Sequence, residues 1–520
     1  MAQELSIWLV VAATILLVVA SNYVRSSNKA RLPPGPRPLP IIGNALDIPI
    51  NDLEQAFREM NARYGDVVYL NALGQPMVIL GTHEAAVDLL EKRSSIYSDR
   101  NLSTMASLTG WDWVLTVLNY GPRWRRHRRA FHQFFNPAAV LPYRPSQELE
   151  AHRFAQRLID DPKHFLHHVR RLFASTIMRV TYGIEIQEGN DEYLGMAEEA
   201  LATFNAAFVP GKYLVETFPI LRWVPSWMPG ARFRREGKAW TPIVHRLRDV
   251  PWRRTLALIQ EGSAVPSITT ELMQRVSHLE GQDAAEEAEV ARNVVAVAYA
   301  GGADTTLSCI QSFFLAMASY PDVQKKAQAE LDAVVGQHRL PDFSDEASLP
   351  YVTALIKECL RWRSVVPLGV PHRSIQDDEY RGYFIPKGTL VVSNIWAYSR
   401  DPRHYSDPET FMPERFLKDG KLNPDVLDPT EIAFGYGRRI CPGRYFAEAS
   451  LSIIISTVLH TVSINAPLDA SGVPVKLEGK MTPGVISYPE PFEVRIKSCG
   501  AWAEGLIRES CSMPSTAPLS

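Results

Sequence analysis

The sequence predicts a mainly α-helical domain with a small β-rich region, an α+β fold. Three observations carry this: long stretches with apolar residues at helical spacing, short scattered segments rich in β-branched and aromatic residues, and no repeat or Gly/Ser linker dividing residues 41–497. The length of 520 residues would alone suggest about three domains, so the undivided stretch points instead to one large domain. At 46% hydrophobic, 10% aromatic and 22% charged, the chain can bury a large core and is neither disordered nor low-complexity. Lys plus Arg (55) balances Asp plus Glu (57), a net charge of -2, which argues against a nucleic-acid binder. Cys309, Cys359, Cys441, Cys499 and Cys511 are odd in number, widely spread and free of zinc-type spacing, so they form no disulfide scaffold and a reducing compartment is expected.

In chain order, residues 1–30 read as a membrane anchor. Leu5 to Val24 carry no charge, enough to cross about 30 Å of hydrocarbon as a transmembrane helix; a secretory signal peptide, with its shorter apolar core, is the competing reading. Arg25, Lys29, Arg31 and Arg37 follow the span and only Glu4 precedes it, so the body is expected to face the cytosol, with the sequon at Asn101 unmodified. Residues 31–40, with Pro33-Pro34-Gly35-Pro36, Pro38 and Pro40, form a stiff extended hinge. Within 41–497, helices are expected at 53–64, 121–135, 283–320 (stopped by Pro321) and 351–362, and strands at 67–70, 77–80, 389–392 and 492–496. Residues 498–520, rich in Ser, Ala, Gly and Pro, read as a flexible tail.

Four motifs carry chemistry. Phe434-Gly435-Tyr436-Gly437-Arg438-Arg439-Ile440-Cys441-Pro442-Gly443 puts a cysteine in a tight glycine loop that opens a helix. The helix N-terminus favours the thiolate, the form that ligates a soft metal, although most lone cysteines are simply buried. Glu358 and Arg361 share a helix face, usually nothing more than a solvated pair. Ala300-Gly301-Gly302-Ala303-Asp304-Thr305-Thr306 sets two glycines inside a long helix at about 1 kcal/mol each relative to Ala, which suggests a ligand against the backbone beside an acid and a hydroxyl; a plain kink is the bland alternative. Trp124-Arg125-Arg126-His127-Arg128 offers guanidinium groups suited to carboxylates.

The pattern F-x-x-G-x-R-x-C-x-G resembles the haem-binding signature of the cytochrome P450 superfamily, and the other motifs follow that family's order along essentially the whole chain. The resemblance implies the cytochrome P450 fold, a single haem domain behind its anchor, with haem b as cofactor and Cys441 as axial ligand of its iron. It implies haem contacts from Trp124, Arg128, His372, Phe434, Arg439 and Gly443, with Trp124, Arg128, Arg439 and His372 at the propionates. Asp304 becomes the acid delivering protons during dioxygen activation and Thr305 its hydroxyl partner. Pro413-Glu414-Arg415-Phe416 is similar to the family's PERF motif, which joins Arg415 to Glu358 and Arg361 in a buried network that retains haem.

The anchor places the chain with the microsomal type, in the endoplasmic-reticulum membrane. Such members take electrons from NADPH only indirectly, through NADPH-cytochrome P450 reductase, with cytochrome b5 a further candidate donor. No GxGxxG after a strand offers a nicotinamide or flavin site in this chain. The wording around Cys441 looks most like basidiomycete enzymes of secondary metabolism.

By analogy the substrate pocket draws on Trp111, Trp113, Leu115, Phe204, Tyr299, Ala300, Val365, Val366, Leu368 and Val485. This apolar set suits an uncharged lipophilic small molecule such as a terpenoid, which a monooxygenase would hydroxylate or oxidise further. Apolar Tyr213 to Met228 is expected to dip into the membrane, and Arg123, Arg125, Arg126 and Arg129 form a candidate patch for an acidic redox partner or a merely solvated face. Two rival functions stay open: a haem-thiolate isomerase or dehydratase working without dioxygen, and a non-catalytic haem sensor or carrier.

Overall fold

The computed structural model describes residues 31–512 except 50, 102, 188, 190 and 210. The expected anchor therefore lies outside the described residues, and among these no helix is long and apolar enough to cross a membrane. Helices dominate, with a four-stranded sheet and three two-stranded ribbons beside them.

The helices that position the site are, in chain order, α1 (Leu53–Tyr64), α2 (Thr104–Thr109), α3 (Pro122–Phe135), α4 (Arg144–Asp160), α5 (Phe165–Tyr182), α6 (Glu192–Ala207), α7 (Arg232–Gln260), α8 (Gly281–Ser319), α9 (Pro321–Val334), α10 (Pro350–Trp362), α11 (Arg444–Thr461) and α12 (Ala501–Ser512). Four of these, α1, α3, α8 and α10, sit within two residues of the expected bounds. Pro122 and Pro350 open their helices at the first turn, where a missing N–H costs nothing, and Tyr320-Pro321 ends α8.

Helix α8 runs 39 residues, about 58 Å, through the centre of the molecule. Its first half joins α3, α5 and α7 in one apolar core; its second half joins α4, α5, α9, α10 and α11 in another. Helix α7 gave no clear signal because Pro242 and Pro251 lie inside it. Burial of Val244, Leu247 and Trp252 along its inner face outweighs those two interruptions.

Strands β1 (Val67–Ala72), β2 (Gln75–Leu80), β3 (His372–Arg373) and β4 (Leu390–Ser393) form the sheet in the order β1-β2-β4-β3. β1 and β2 make a hairpin with Val67 opposite Leu80, and β2 runs parallel to β4. The strand expected at 492–496 is displaced: β6 (Arg495–Ser498) pairs with the four-residue β5 (Val462–Asn465), whose short edge sets the length of the ladder.

The tail is also corrected over 501–512. Ala503, Leu506, Ile507 and Ser510 recur at helical spacing, and α12 buries Ala503 and Ile507 while Trp502 meets His460 edge-on at 4.9 Å. Gly505 within so short a window hides that pattern in the sequence.

Candidate active site

Between the two cores lies a cavity of about 360 Å³, within the range of small-molecule sites. Its walls come from α3, α6, α8, the loops around 111–116 and 364–370, the 433–443 loop and the turn at 485–486. Of the expected site residues it gathers Cys441, Trp124, Arg128, His372, Phe434, Arg439, Gly443 and Thr305, with Trp111, Leu115, Phe204, Ala300, Val365, Val366 and Val485.

The cysteine loop is built by close backbone approach. The Cys441 N–H donates to the Phe434 carbonyl at 2.8 Å, which closes the loop onto the start of α11. Gly437 has φ +55°, and a Cβ there would lie 2.2 Å from the Leu90 carbonyl oxygen, so no other residue fits. Gly443 lines the cavity, and a methyl group there would meet no protein atom. Burial pushes the Cys441 thiol up; the Gly443 N–H and the Arg128 and Arg444 guanidinium groups pull the other way.

Across the cavity wall stand cations. Arg128 is the informative one: it lines the cavity and has no hydrogen bond or ion pair with any described residue. Burial lowers its pKa, and the Cys441 charge partly restores it. Arg439 stacks over the Trp124 ring at 4.5 Å and donates to the carbonyls of Ser98 (2.7 Å), Leu115 (3.3 Å) and Leu118 (2.8 Å). The His372 Nδ1–H donates to the Tyr97 carbonyl at 2.6 Å, so in the neutral ring Nε2 is an acceptor. Burial and the nearby Arg100 hold His372 far below the ordinary histidine range.

Arg100 is a cavity residue that sequence reasoning missed. It is 5% exposed and donates to the carbonyls of Thr116, Val370 and Pro371, pinning two wall loops. An isolated arginine in a polar loop gives no periodic signal. Leu201 and Val297 also line the cavity, and they were findable, since they lie three and four residues before Phe204 and Gly301 on the same helix faces.

Helix α8 is continuous through the glycine pair. Gly301 opens onto free space, whereas a Cβ on Gly302 would press on Ile177 at 3.1 Å, so helix packing accounts for the second glycine. The Thr305 hydroxyl faces the cavity and donates to the Gly301 carbonyl at 2.8 Å. Asp304 stands outside the cavity wall, because adjacent helical residues diverge by about 100°. Burial raises its pKa against the pull of Tyr488 and Arg170, and its Oδ2 is buried without a hydrogen bond.

Three expected pocket residues are corrected. Trp113 is buried behind Trp111, stacked on it at 5.8 Å with Arg248 over its ring. Tyr299 turns away from the cavity, and its hydroxyl donates to the Tyr193 carbonyl at 2.6 Å. Leu368 packs on the sheet side with Phe57, Val68 and Val392. Within the candidate arginine patch, Arg123 pairs with Glu289 at 3.2 Å, and Arg126 with Glu286 at 2.7 Å and Glu287 at 2.9 Å. Arg125 and Arg129 remain outside those pairs.

Behind the cavity, Glu358 takes a two-pronged bond from Arg361 (2.7 and 2.8 Å), one from Arg415 at 3.2 Å and one from the Met412 N–H at 2.8 Å. Arg361 also donates to the carbonyls of Ser399, Pro408 and Thr410, and Arg415 to those of Ser406, Asp407 and Thr410. The Glu358 and Arg361 side chains are wholly buried.

A thiol in an open glycine cradle beside an unpaired guanidinium in a mostly apolar cavity fits a flat, mostly apolar metal macrocycle with carboxylate arms, which defines a haem-thiolate protein. The comparisons agree. The family model described as Cytochrome P450 matches residues 33–495. The chain is 44% identical to a cytochrome P450 monooxygenase, COX2, of Coprinopsis cinerea over 94% of this chain and 93% of that one. It is 40% identical to a tryptamine 4-monooxygenase of Psilocybe cyanescens (91% and 94% covered) and 39% identical to the cytochrome P450 monooxygenase ple1 of Rhodocybe pseudopiperita (95% and 95%). The chain belongs to the cytochrome P450 family, of the fungal type, and is an oxidoreductase of the monooxygenase class. The family implies haem as cofactor.

Proposed function

We propose that the protein hydroxylates, or oxidises further, an uncharged lipophilic natural product of terpenoid type. The observation that carries this reading is the cavity lining: apolar on the substrate side, with no carboxylate among the described residues. A cationic amine would enter such a space without a counter-charge, at a cost of several kcal/mol. The same lining therefore disfavours an amine such as tryptamine, although one relative is named for it.

Haem, when bound, supplies the binding and activation of dioxygen and the transfer of one oxygen atom. The chain's residues do the rest. Cys441 would hold the iron, Arg128 would pair with a propionate, and Trp124 and Arg439 would close that edge. The Thr305 hydroxyl, on turning from the Gly301 carbonyl, can pass a proton into the cavity, and Asp304, on the flank of the same helix, can resupply it from outside the wall. Electrons would come from NADPH through a reductase, with cytochrome b5 a second candidate donor. Arg125 and Arg129 are the α3 cations left to meet an acidic partner.

The cytosolic, endoplasmic-reticulum placement rests on the sequence of residues 1–30, and a second membrane contact is supported by the 218–228 segment. There Ile220, Trp223 and Trp227 are 74%, 74% and 79% exposed, far more than an apolar run tolerates in water.

Co-expression with a reductase and a panel of terpene and indoleamine scaffolds tests the proposal. The expected product gains one oxygen atom, requires NADPH and dioxygen, and disappears in Cys441→Ala. Conversion without dioxygen and reductase would establish an isomerase or dehydratase instead. Oxidation of the amines alone would overturn the substrate class.

A further inference from the structure

Trp111 is held by a polar chain in the middle of an apolar wall. Its indole Nε1–H donates to the Thr203 hydroxyl at 3.2 Å, and that hydroxyl donates its own proton to the Ala200 carbonyl at 2.7 Å. A hydroxyl has one proton to give, so this direction is fixed and Thr203 can only accept from the indole. Both residues are buried, Trp111 at 1% and Thr203 at 5% exposure. The ring is also braced by Trp113, stacked at 5.8 Å, and by Phe204, edge-on at 5.2 Å and 83°. Its loop leaves α2 through Gly110 at φ +81°, and the Trp111 N–H returns to the Ala106 carbonyl at 2.8 Å.

Trp111 and Phe204 both line the cavity, so they present two nearly perpendicular aromatic surfaces. A fixed corner of this kind matches a rigid ring system, which loses little freedom on binding, better than a flexible chain. We propose that Thr203 is a positioning residue for specificity. By fixing the Trp111 ring it keeps the corner in place and selects a rigid, ring-bearing hydrocarbon skeleton. This deepens the substrate class proposed above and rests on that reading.

Thr203→Val keeps the shape of the side chain and removes the acceptor, leaving a buried N–H unpaired and the ring held by its aromatic neighbours alone. The full-length holoenzyme is titrated with two haem-binding probes, followed by haem absorbance: clotrimazole, an imidazole bearing three aryl groups, and imidazole itself. Thr203→Val should weaken clotrimazole about fivefold or more and imidazole by less than about twofold. Thr203→Ser should restore the affinity. Trp111→Phe should weaken clotrimazole similarly, and Thr203→Val added to it should change nothing further, since the N–H is already gone.

Unchanged clotrimazole binding in Thr203→Val, or an equal loss for both probes, would overturn the proposal. So would a Thr203→Val effect that persists undiminished beside Trp111→Phe. If Thr203→Val does not load haem, Trp111→Phe decides alone, and wild-type affinity there sinks the idea. The titration needs neither dioxygen nor reductase, so it fails independently of the proposed oxidation.

Discussion

Arg361 and Arg128 are the same side chain in opposite circumstances. Arg361 lies behind the cavity with no exposed surface, and its guanidinium meets Glu358 and three carbonyls. Arg128 lies on the cavity wall, and no described residue pairs with it. The first is complete within the protein and can only hold the fold together. The second is incomplete, and a half-buried cation without a partner costs free energy unless a ligand's carboxylate supplies one. A charge that the chain satisfies marks structure; a charge that it leaves open marks a site.

Breaking the satisfied cluster should have the largest effect. Glu358→Ala leaves two guanidinium groups facing each other in a buried space, and about 3–5 kcal/mol of stability should be lost. Urea unfolding with and without haem measures this, and a similar loss in both forms identifies the cluster as part of the fold.

Asp304, like Arg128, has a buried atom that the chain leaves unsatisfied. Asp304→Asn should slow product formation about 100-fold. The same change should stabilise the fold at neutral pH. Because burial raises the Asp304 pKa, folding favours its protonated form: the contribution is fully present below the ordinary value of 3.8 and is lost as pH rises through the folded pKa. The advantage of the Asn variant in thermal unfolding should therefore grow with rising pH and vanish in acid. No pH dependence of that advantage would mean that Asp304 is not held in a raised-pKa state.

Arg128→Ala sharpens the comparison from the other side. The haem-free protein should be at least as stable as wild type, since no native bond is broken and an unpartnered cation is removed. The holoenzyme should release haem to apomyoglobin about tenfold faster, the kinetic equivalent of about 1.4 kcal/mol lost with one charge-assisted contact. Equal rates would remove Arg128 from the haem contacts.

The smallest effect belongs to the exposed pairs. Arg126→Ala breaks two ion pairs with α8 at a half-exposed site and should cost less than about 1 kcal/mol, and less still in high salt. If electron transfer also falls sharply in this variant, the paired arginines and not Arg125 and Arg129 face the redox partner.

What the sequence determined by itself is what local chemistry encodes. The cysteine loop was legible because its glycines answer a backbone requirement, seen at Gly437 against Leu90. The long helix was legible because its period and its closing proline are local, and the order of motifs along the chain named the family. Tertiary structure decided which neighbours face inward. Trp111 and Trp113 are two residues apart and equally apolar, yet only Trp111 reaches the cavity, and Asp304 and Thr305 part at the cavity wall. Arg123 and Arg126 looked like free surface charge until α8 brought Glu286, Glu287 and Glu289 beside them. Helix α7 passed through two prolines because its inner face is buried. Each of these depends on residues distant in sequence, and burial, pairing and cavity shape belong to contacts between elements, which no local pattern contains.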